Sequence, residues 1–374
     1  MVPLSRRKFL GGVGLAALSG CAGRSAGGTT TPTSTATAAE ATDGDGSGST
    51  TDPAVPTADS RLPLSMSPKA LRDAARSGGP PKDGIPSIDS PEFVAPDAID
   101  FLNPGDPVFG VVEGESVKAY PQKILAQHEI VNDELDGTPV AVTYCPLTGT
   151  VQGFLRGETT FGVSGRLINN NLVMYDRDTE TWWPQILATS IPGPWNENPE
   201  IASLREFRLI WTTWARWQRQ HPDTTVLSTD TGYTKNYGRD PYGGYNPRVG
   251  YYDNDNLLFP ALRNDDRYPR KTVVMGARAP EGAVAFRKES LREAKLMDGE
   301  LGGESVLAVY DPRYDTGYVY RNPERQEYDH GEDGVVGPDG TTHAFDALPL
   351  SRIHTFDAMW FAWAGYYPET NVYA

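Results

Sequence analysis

The chain has 374 residues, with 49 acids against 34 bases and a formal charge of −15. No cluster of Lys and Arg of the kind that binds phosphates by counterion release appears, which argues against nucleic acid as a partner. Only nine of the bases are lysines, and such an acidic surface repels itself until concentrated salt shortens the screening length, so the balance points to a halophilic setting, or else to an ordinary acidic secreted protein.

Residues 1–21 read as a twin-arginine lipoprotein signal. Ser5-Arg6-Arg7-Lys8-Phe9-Leu10 supplies the paired arginines, Gly11 to Leu18 is too short to span a bilayer, and Leu18-Ser19-Gly20-Cys21 has the form of a lipoprotein processing box with Cys21 as the lipid acceptor. The expected partners are therefore the twin-arginine export machinery and the membrane, through a lipid anchor at Cys21. The expected location is the outer face of the cytoplasmic membrane. Residues 22–61 are Thr, Ser, Gly and Pro with scattered acids, a composition that buries too little apolar surface to fold, and they read as a disordered stalk.

Order is expected from Leu62, with a short helix over Ser67 to Arg76 and a lead-in at Asp83-Gly84-Ile85-Pro86. Pro107 to Val112 and Pro139 to Tyr144 are apolar and β-branched, as buried strands are, and Asp136-Gly137 is a tight hairpin signal. A second hairpin is predicted from Thr160 to Asp176, turning at Asn169-Asn170-Asn171, because asparagine tolerates positive φ. Helices are expected over Pro121 to Gln127 and Thr212 to Arg219, the latter placing Trp214 and Trp217 on one face.

Two patterns recur in the same order. Val108 to Phe154 aligns without gaps on Val274 to Tyr320, 166 residues later, pairing Gly110 with Gly276, Tyr144 with Tyr310 and Pro146 with Pro312. A second pattern, W-x-x-W-x-x-x-[HY]-P-[DE]-T-x-V, runs from Trp214 to Val226 and again from Trp360 to Val372. The expected fold is therefore α+β, mostly β, in two similar halves from an internal duplication, each with hairpins and two short helices. The first half covers 62–230, a connecting segment 231–269, and the second half 270–374.

With Cys21 taken by lipid, no intramolecular disulfide is available and Cys145 is a lone thiol. It ends a predicted strand and enters the turn Pro146-Leu147-Thr148-Gly149, a placement that suits a reactive group and equally a small buried hydrophobe. His128 is the candidate partner, as base for a thiolate or as co-ligand of a soft metal. The counterpart of Cys145 in the second half is Asp311. Asn170, Asn171, Asp176, Arg177 and Trp183 form a candidate polar rim with an aromatic floor, and Asp176, Asp178 and Glu180 have spacing compatible with a calcium loop or with an ordinary acidic turn. Tyr251 to Asn256, then Asp266, Arg267 and Lys271, have the composition of a hydrogen-bonding cleft for a small polar ligand or glycan, or of a salt-tolerant loop. No cofactor is specified, and no phosphate loop, H-E-x-x-H, G-x-S-x-G or C-x-x-C occurs.

Asp83-Gly84-Ile85-Pro86, Lys118-Ala119-Tyr120-Pro121, His128-Glu129-Ile130-Val131-Asn132-Asp133, Tyr144-Cys145-Pro146-Leu147-Thr148-Gly149, Phe161-Gly162-Val163-Ser164-Gly165 and His221-Pro222-Asp223-Thr224 together resemble the exported proteins of the domain of unknown function 3179. The resemblance spans roughly residues 83 to 374 and implies no activity. Members often carry a second cysteine where Thr148 stands, and its absence removes a dithiol from this chain. Two functions stay open: a surface binding protein for a small polar ligand, glycan or metal ion, and a Cys145-dependent enzyme or single-thiol redox protein.

Overall fold

This computed structural model describes residues 55–374; the signal, Cys21 and most of the Thr/Ser stalk lie outside the described residues. The first helix, α1 (Pro68–Ala74), starts where Ser67 accepts a hydrogen bond from the Ala70 N–H at 3.2 Å, an N-cap that satisfies one of the helix's free donors. The next elements are β1 (Pro107–Glu113), β2 (Ser116–Pro121), α2 (Gln122–His128), β3 (Ile130–Leu135), β4 (Thr138–Cys145) and β5 (Thr150–Leu155). A hairpin with a third strand follows: β6 (Phe161–Ile168), β7 (Asn171–Asp176) and β8 (Trp182–Pro184). The first half closes with β9 (Glu206–Phe207), β10 (Ile210–Thr213), α3 (Trp214–Gln220) and β11 (Thr225–Leu227).

The second half runs β12 (Val273–Ala279), β13 (Gly282–Arg287), α4 (Lys288–Ala294), β14 (Leu296–Leu301), β15 (Glu304–Asp311) and β16 (Thr316–Arg321). It ends with β17 (Arg352–Ile353), β18 (Thr355–Met359), α5 (Trp360–Tyr366) and β19 (Asn371–Tyr373). The fold is mostly β with five short α-helices among the described residues. From β1 to β5, every element has its counterpart 166 residues later with the same bounds. Strand order is equivalent too, β10-β1-β2-β11 against β18-β12-β13-β19 and β9-β5-β4-β3 against β17-β16-β15-β14, except that the two-residue strand Phe93–Val94 adds an edge beyond β11 in the first half alone. In each half the two sheets enclose an apolar core capped by α2 or α4, with Phe109, Tyr120, Leu125, Val142 and Tyr144 in one and Met275, Phe286, Leu291, Ala308 and Tyr310 in the other.

The tryptophan pattern is a packing device. Trp217 lies so close over Gly110 that a Cβ there would sit 2.2 Å from the indole, and Trp363 does the same over Gly276 at 2.1 Å. Each indole N–H donates to a threonine, Trp217 to Thr224 at 3.0 Å and Trp363 to Thr370 at 3.1 Å. Each threonine hydroxyl donates onward, to the Val117 and Ala283 carbonyls respectively. The pattern's Trp, Thr and paired Gly are thus one interlocked unit.

The halves differ in what covers them. All seven residues of α5 are buried, because the sheet β6-β7-β8 supplies Ile168, Val173, Tyr175 and Trp182 to the same core as Trp360, Phe361 and Trp363. In α3 only Trp214 and Trp217 are buried, as its Arg and Gln residues require. The halves also grip one another. Arg208 donates to Gly317 O at 2.8 Å and its guanidinium stacks over the Tyr318 ring, while His354 Nε2 lies 3.2 Å from Gln152 Oε1. Arg278, wholly buried, forms a bidentate pair with Glu206 and donates to Ile186 O.

Candidate functional site

Cys145 ends β4 between the sheet β3-β4-β5 and the sheet β6-β7-β8, among Ile130, Leu147, Leu172 and Met174. It is 1% exposed, and its thiol donates to Asn170 O at 3.4 Å. Burial, helped by the neighbouring Glu129 carboxylate and opposed by the Thr148 hydroxyl, pushes the thiol up to about 11. The turn after Pro146 lowers it only in part, through Thr148, and burial prevails.

His128 is not its partner. The ring of His128 is buried, with Nδ1 2.7 Å from the Pro86 carbonyl and Nε2 2.6 Å from the Tyr237 hydroxyl, so both nitrogens are engaged away from the thiol. These bonds fasten the lead-in and the connecting segment onto α2. Residue 129 follows α2 with φ 61°, which turns its side chain into the protein. Glu129 is buried without a side-chain hydrogen bond among the described residues, and desolvation raises it to about 8. The motif reading passed over this residue. The one available signal was a glutamate flanked by a helix end and a buried strand.

The asparagine turn is structural. Asn169 and Asn170 take φ of 54° and 61°, as predicted. Asn170 exchanges two hydrogen bonds with the Phe259 backbone, and Asn171 donates to Thr148 Oγ1 and Gln185 Oε1. Asp176 accepts from Thr179 and from the Trp183 indole at 2.9 Å, so its carboxylate closes a turn and leaves no oxygen set for calcium; no metal-binding group of three His, Cys, Asp or Glu occurs among the described residues. Arg177 instead ties down the lead-in through Asp83, Ser87 and Asp89. Asp266 is exposed, and Arg267 pairs with Asp265 over the Trp360 ring. These residues are spread over several surfaces and do not form one site.

The concave site lies elsewhere, in a cleft of about 660 Å³ within the range of small-molecule sites. It is lined by Trp211, Thr212 and Thr213 of β10, by Arg287 at the end of β13 with Lys288, Glu289 and Arg292 of α4, and by Tyr245, Arg248 and Tyr252 to Asp255 of the connecting segment, with Lys271. Of the Tyr251-to-Asn256 run, Tyr252 to Asp255 line this cleft, and Lys271 lines it with them, whereas Asn170, Asn171, Asp176, Arg177, Trp183, Asp266 and Arg267 do not. Cys145 is outside it as well, although a Cβ on Gly149 in its loop would come within 3.3 Å of the Tyr245 hydroxyl on the cleft wall.

The cleft's electrostatics are uneven. Lys288 pairs with Asp357, and Arg292 with Asp315 at 2.8 Å. Lys271 is 4% exposed, donates to the Tyr251 and Asn256 carbonyls, sits over the Tyr251 ring and has no carboxylate within ion-pair distance among the described residues. Burial lowers its amine to about 8, partly offset by Asp255. The Thr212 hydroxyl is buried and makes no hydrogen bond among the described residues.

Together these features define a mostly-β protein of two interlocked halves with a polar, aromatic-walled cleft where they meet. The chain belongs to the family described as protein of unknown function (DUF3179), whose model matches residues 82–370. No curated protein and no solved structure matches it.

Proposed function

We propose that the protein binds a small polar ligand in the cleft between β10, the connecting segment and α4. The observation that carries this reading is a concave site whose lining holds both a buried hydroxyl without a partner among the described residues, Thr212, and a buried lysine, Lys271, that only carbonyls and a tyrosine ring satisfy. Unpaired buried polar groups cost free energy, and a ligand that supplies the missing partner recovers it. The supporting context is an exported chain held at the outer membrane face by lipid on Cys21, in a salty medium suited to its charge of −15. We further infer that the two halves descend from one duplicated unit, a reading supported by their equal element bounds and equivalent strand orders.

Thermal melting of the protein in molar salt against a panel of sugars, sugar acids, amino acids and polyols tests the binding reading. A ligand at a hundred times its Kd adds about 2.7 kcal/mol, which is several degrees for one binder. A panel in which no compound moves the transition overturns it. A Cys145-dependent enzyme is disfavoured by the buried thiol, its raised pKa and the engagement of His128 elsewhere.

A further inference from the structure

The cleft's charge and aromatic lining narrow the ligand class, and the following rests on the binding reading above. Of the five cations lining the cleft, Lys288, Arg292 and Arg287 each have a carboxylate partner, Asp357, Asp315 and Glu289. Arg248 and Lys271 have none among the described residues, and they adjoin each other, with Arg248 donating to the Lys271 carbonyl at 3.2 Å. In a chain with a charge of −15, two neighbouring cations without ion-pair partners among the described residues mark one part of this cleft as locally basic. The acids on the same segment, Asp253 and Asp255, are exposed to solvent, and Asp255 offsets only part of the burial of Lys271.

Arg248 also heads an aromatic stack. Its guanidinium lies 5.1 Å from the Tyr245 ring centre and donates to the Tyr245 hydroxyl at 3.4 Å, and Tyr245 packs on Trp211 at 4.6 Å, so a guanidinium with three of its five N–H groups unengaged among the described residues stands at the end of an aromatic wall. A guanidinium fork matches a carboxylate through two parallel hydrogen bonds, and an aromatic wall matches the apolar face of a ring. Thr212 with Asp253, Asn254 and Asp255 supplies acceptors and donors for hydroxyls around that ring. A small inorganic anion would leave the wall and the hydroxyl partners unused. An aromatic acid would leave the polar rim unused.

We propose that the cleft selects a hydroxylated ring carboxylate of the hexuronate kind, with its carboxylate on Arg248 beside Lys271, its ring against Tyr245 and Trp211, and a hydroxyl on Thr212. At long range the protein repels such an anion. Concentrated salt removes that repulsion while a desolvated bidentate contact survives, so recognition at short range suffices.

Calorimetric titration of the full chain in molar sodium chloride with sodium glucuronate, sodium galacturonate, glucose, benzoate and sulfate provides the test. The expected result is saturable binding of a uronate at least about tenfold tighter than glucose, benzoate or sulfate. Arg248→Gln should weaken the uronate about tenfold or more and leave glucose unchanged. Thr212→Val should keep or raise the melting temperature, since it removes an unsatisfied hydroxyl, and still weaken the uronate severalfold. Should Arg248→Gln fail to fold, Thr212→Val carries the test alone. Glucose binding as tightly as the uronates, or uronate binding indifferent to both substitutions, overturns the anion selection and leaves the cleft as a polar-ligand site. Benzoate or sulfate binding more tightly than the uronates overturns the ligand class. A blank titration with all five, together with a blank melting panel, overturns the binding reading itself.

Discussion

The most informative single residues are Cys145 and its neighbour Glu129, because their surroundings decide their chemistry. A thiol at about 11 holds roughly a hundredfold less thiolate at pH 8 than one at its ordinary value. Iodoacetamide should therefore modify native Cys145 at least about a hundredfold more slowly than the same residue in guanidinium; comparable rates in the two states would show an open, activated thiol. Glu129 makes a separate prediction. Its folded value, about 8, lies above the ordinary 4.5, so the carboxyl penalises folding only where the unfolded chain would ionise. Its neutral form carries no such penalty below pH 4.5, stability is lost as pH rises toward 8, and the loss then levels off. Glu129→Gln should flatten that slope and raise stability at pH 8 by about 2 kcal/mol or more, read as the difference in urea midpoints between parent and variant at pH 5 and pH 8. A parallel dependence in both proteins would place the titration elsewhere.

At the scale of elements, the interlock of tryptophan, glycine and threonine predicts that Gly110→Ala and Gly276→Ala each cost at least about 2 kcal/mol, because the new methyl would overlap an indole held on its far side. Urea denaturation checks this, and a cost below about 0.5 kcal/mol would mean that the helix slides freely. Much at this scale was legible in the chain. The Asp136-Gly137 and Asn169-Asn170 turns follow from residues that tolerate positive φ, and α2 and α3 fall within a residue or two of their predicted bounds, as cap and proline signals allow. The site was less legible. Asn171 and Asp176 look like binding groups in a list of polar residues, yet three-dimensional neighbours consume their capacity; of the expected polar groups, Tyr252 to Asp255 and Lys271 line the cleft. Thr212 gave no signal at all, because a threonine without a partner is invisible until the fold is known.

At the scale of the molecule, the grip between halves rests on buried charge. Arg278 and Glu206 are almost fully enclosed, and removing one partner strands the other. Arg278→Met should cost about 3–5 kcal/mol, and adding Glu206→Gln should recover part of it. A double-variant loss equal to the sum of the two single-variant losses in a denaturation cycle would show that the pair is not coupled. Burial resists ionisation of Glu206, but Arg278 and His354 outweigh it and hold the carboxyl below its ordinary value, so this contribution is present at neutral pH and lost as pH falls through the folded value.

The shared core of α5 and the third sheet also has a consequence in time. Trp182 and Trp360 belong to one apolar cluster but lie 178 positions apart in the chain. At a translation rate of about 5–20 residues per second, the face holding Ile168, Val173 and Trp182 waits on the order of 10–40 s before its cover has been synthesised. During that interval it is the stretch a chaperone should grasp, and folding of this core cannot keep pace with synthesis.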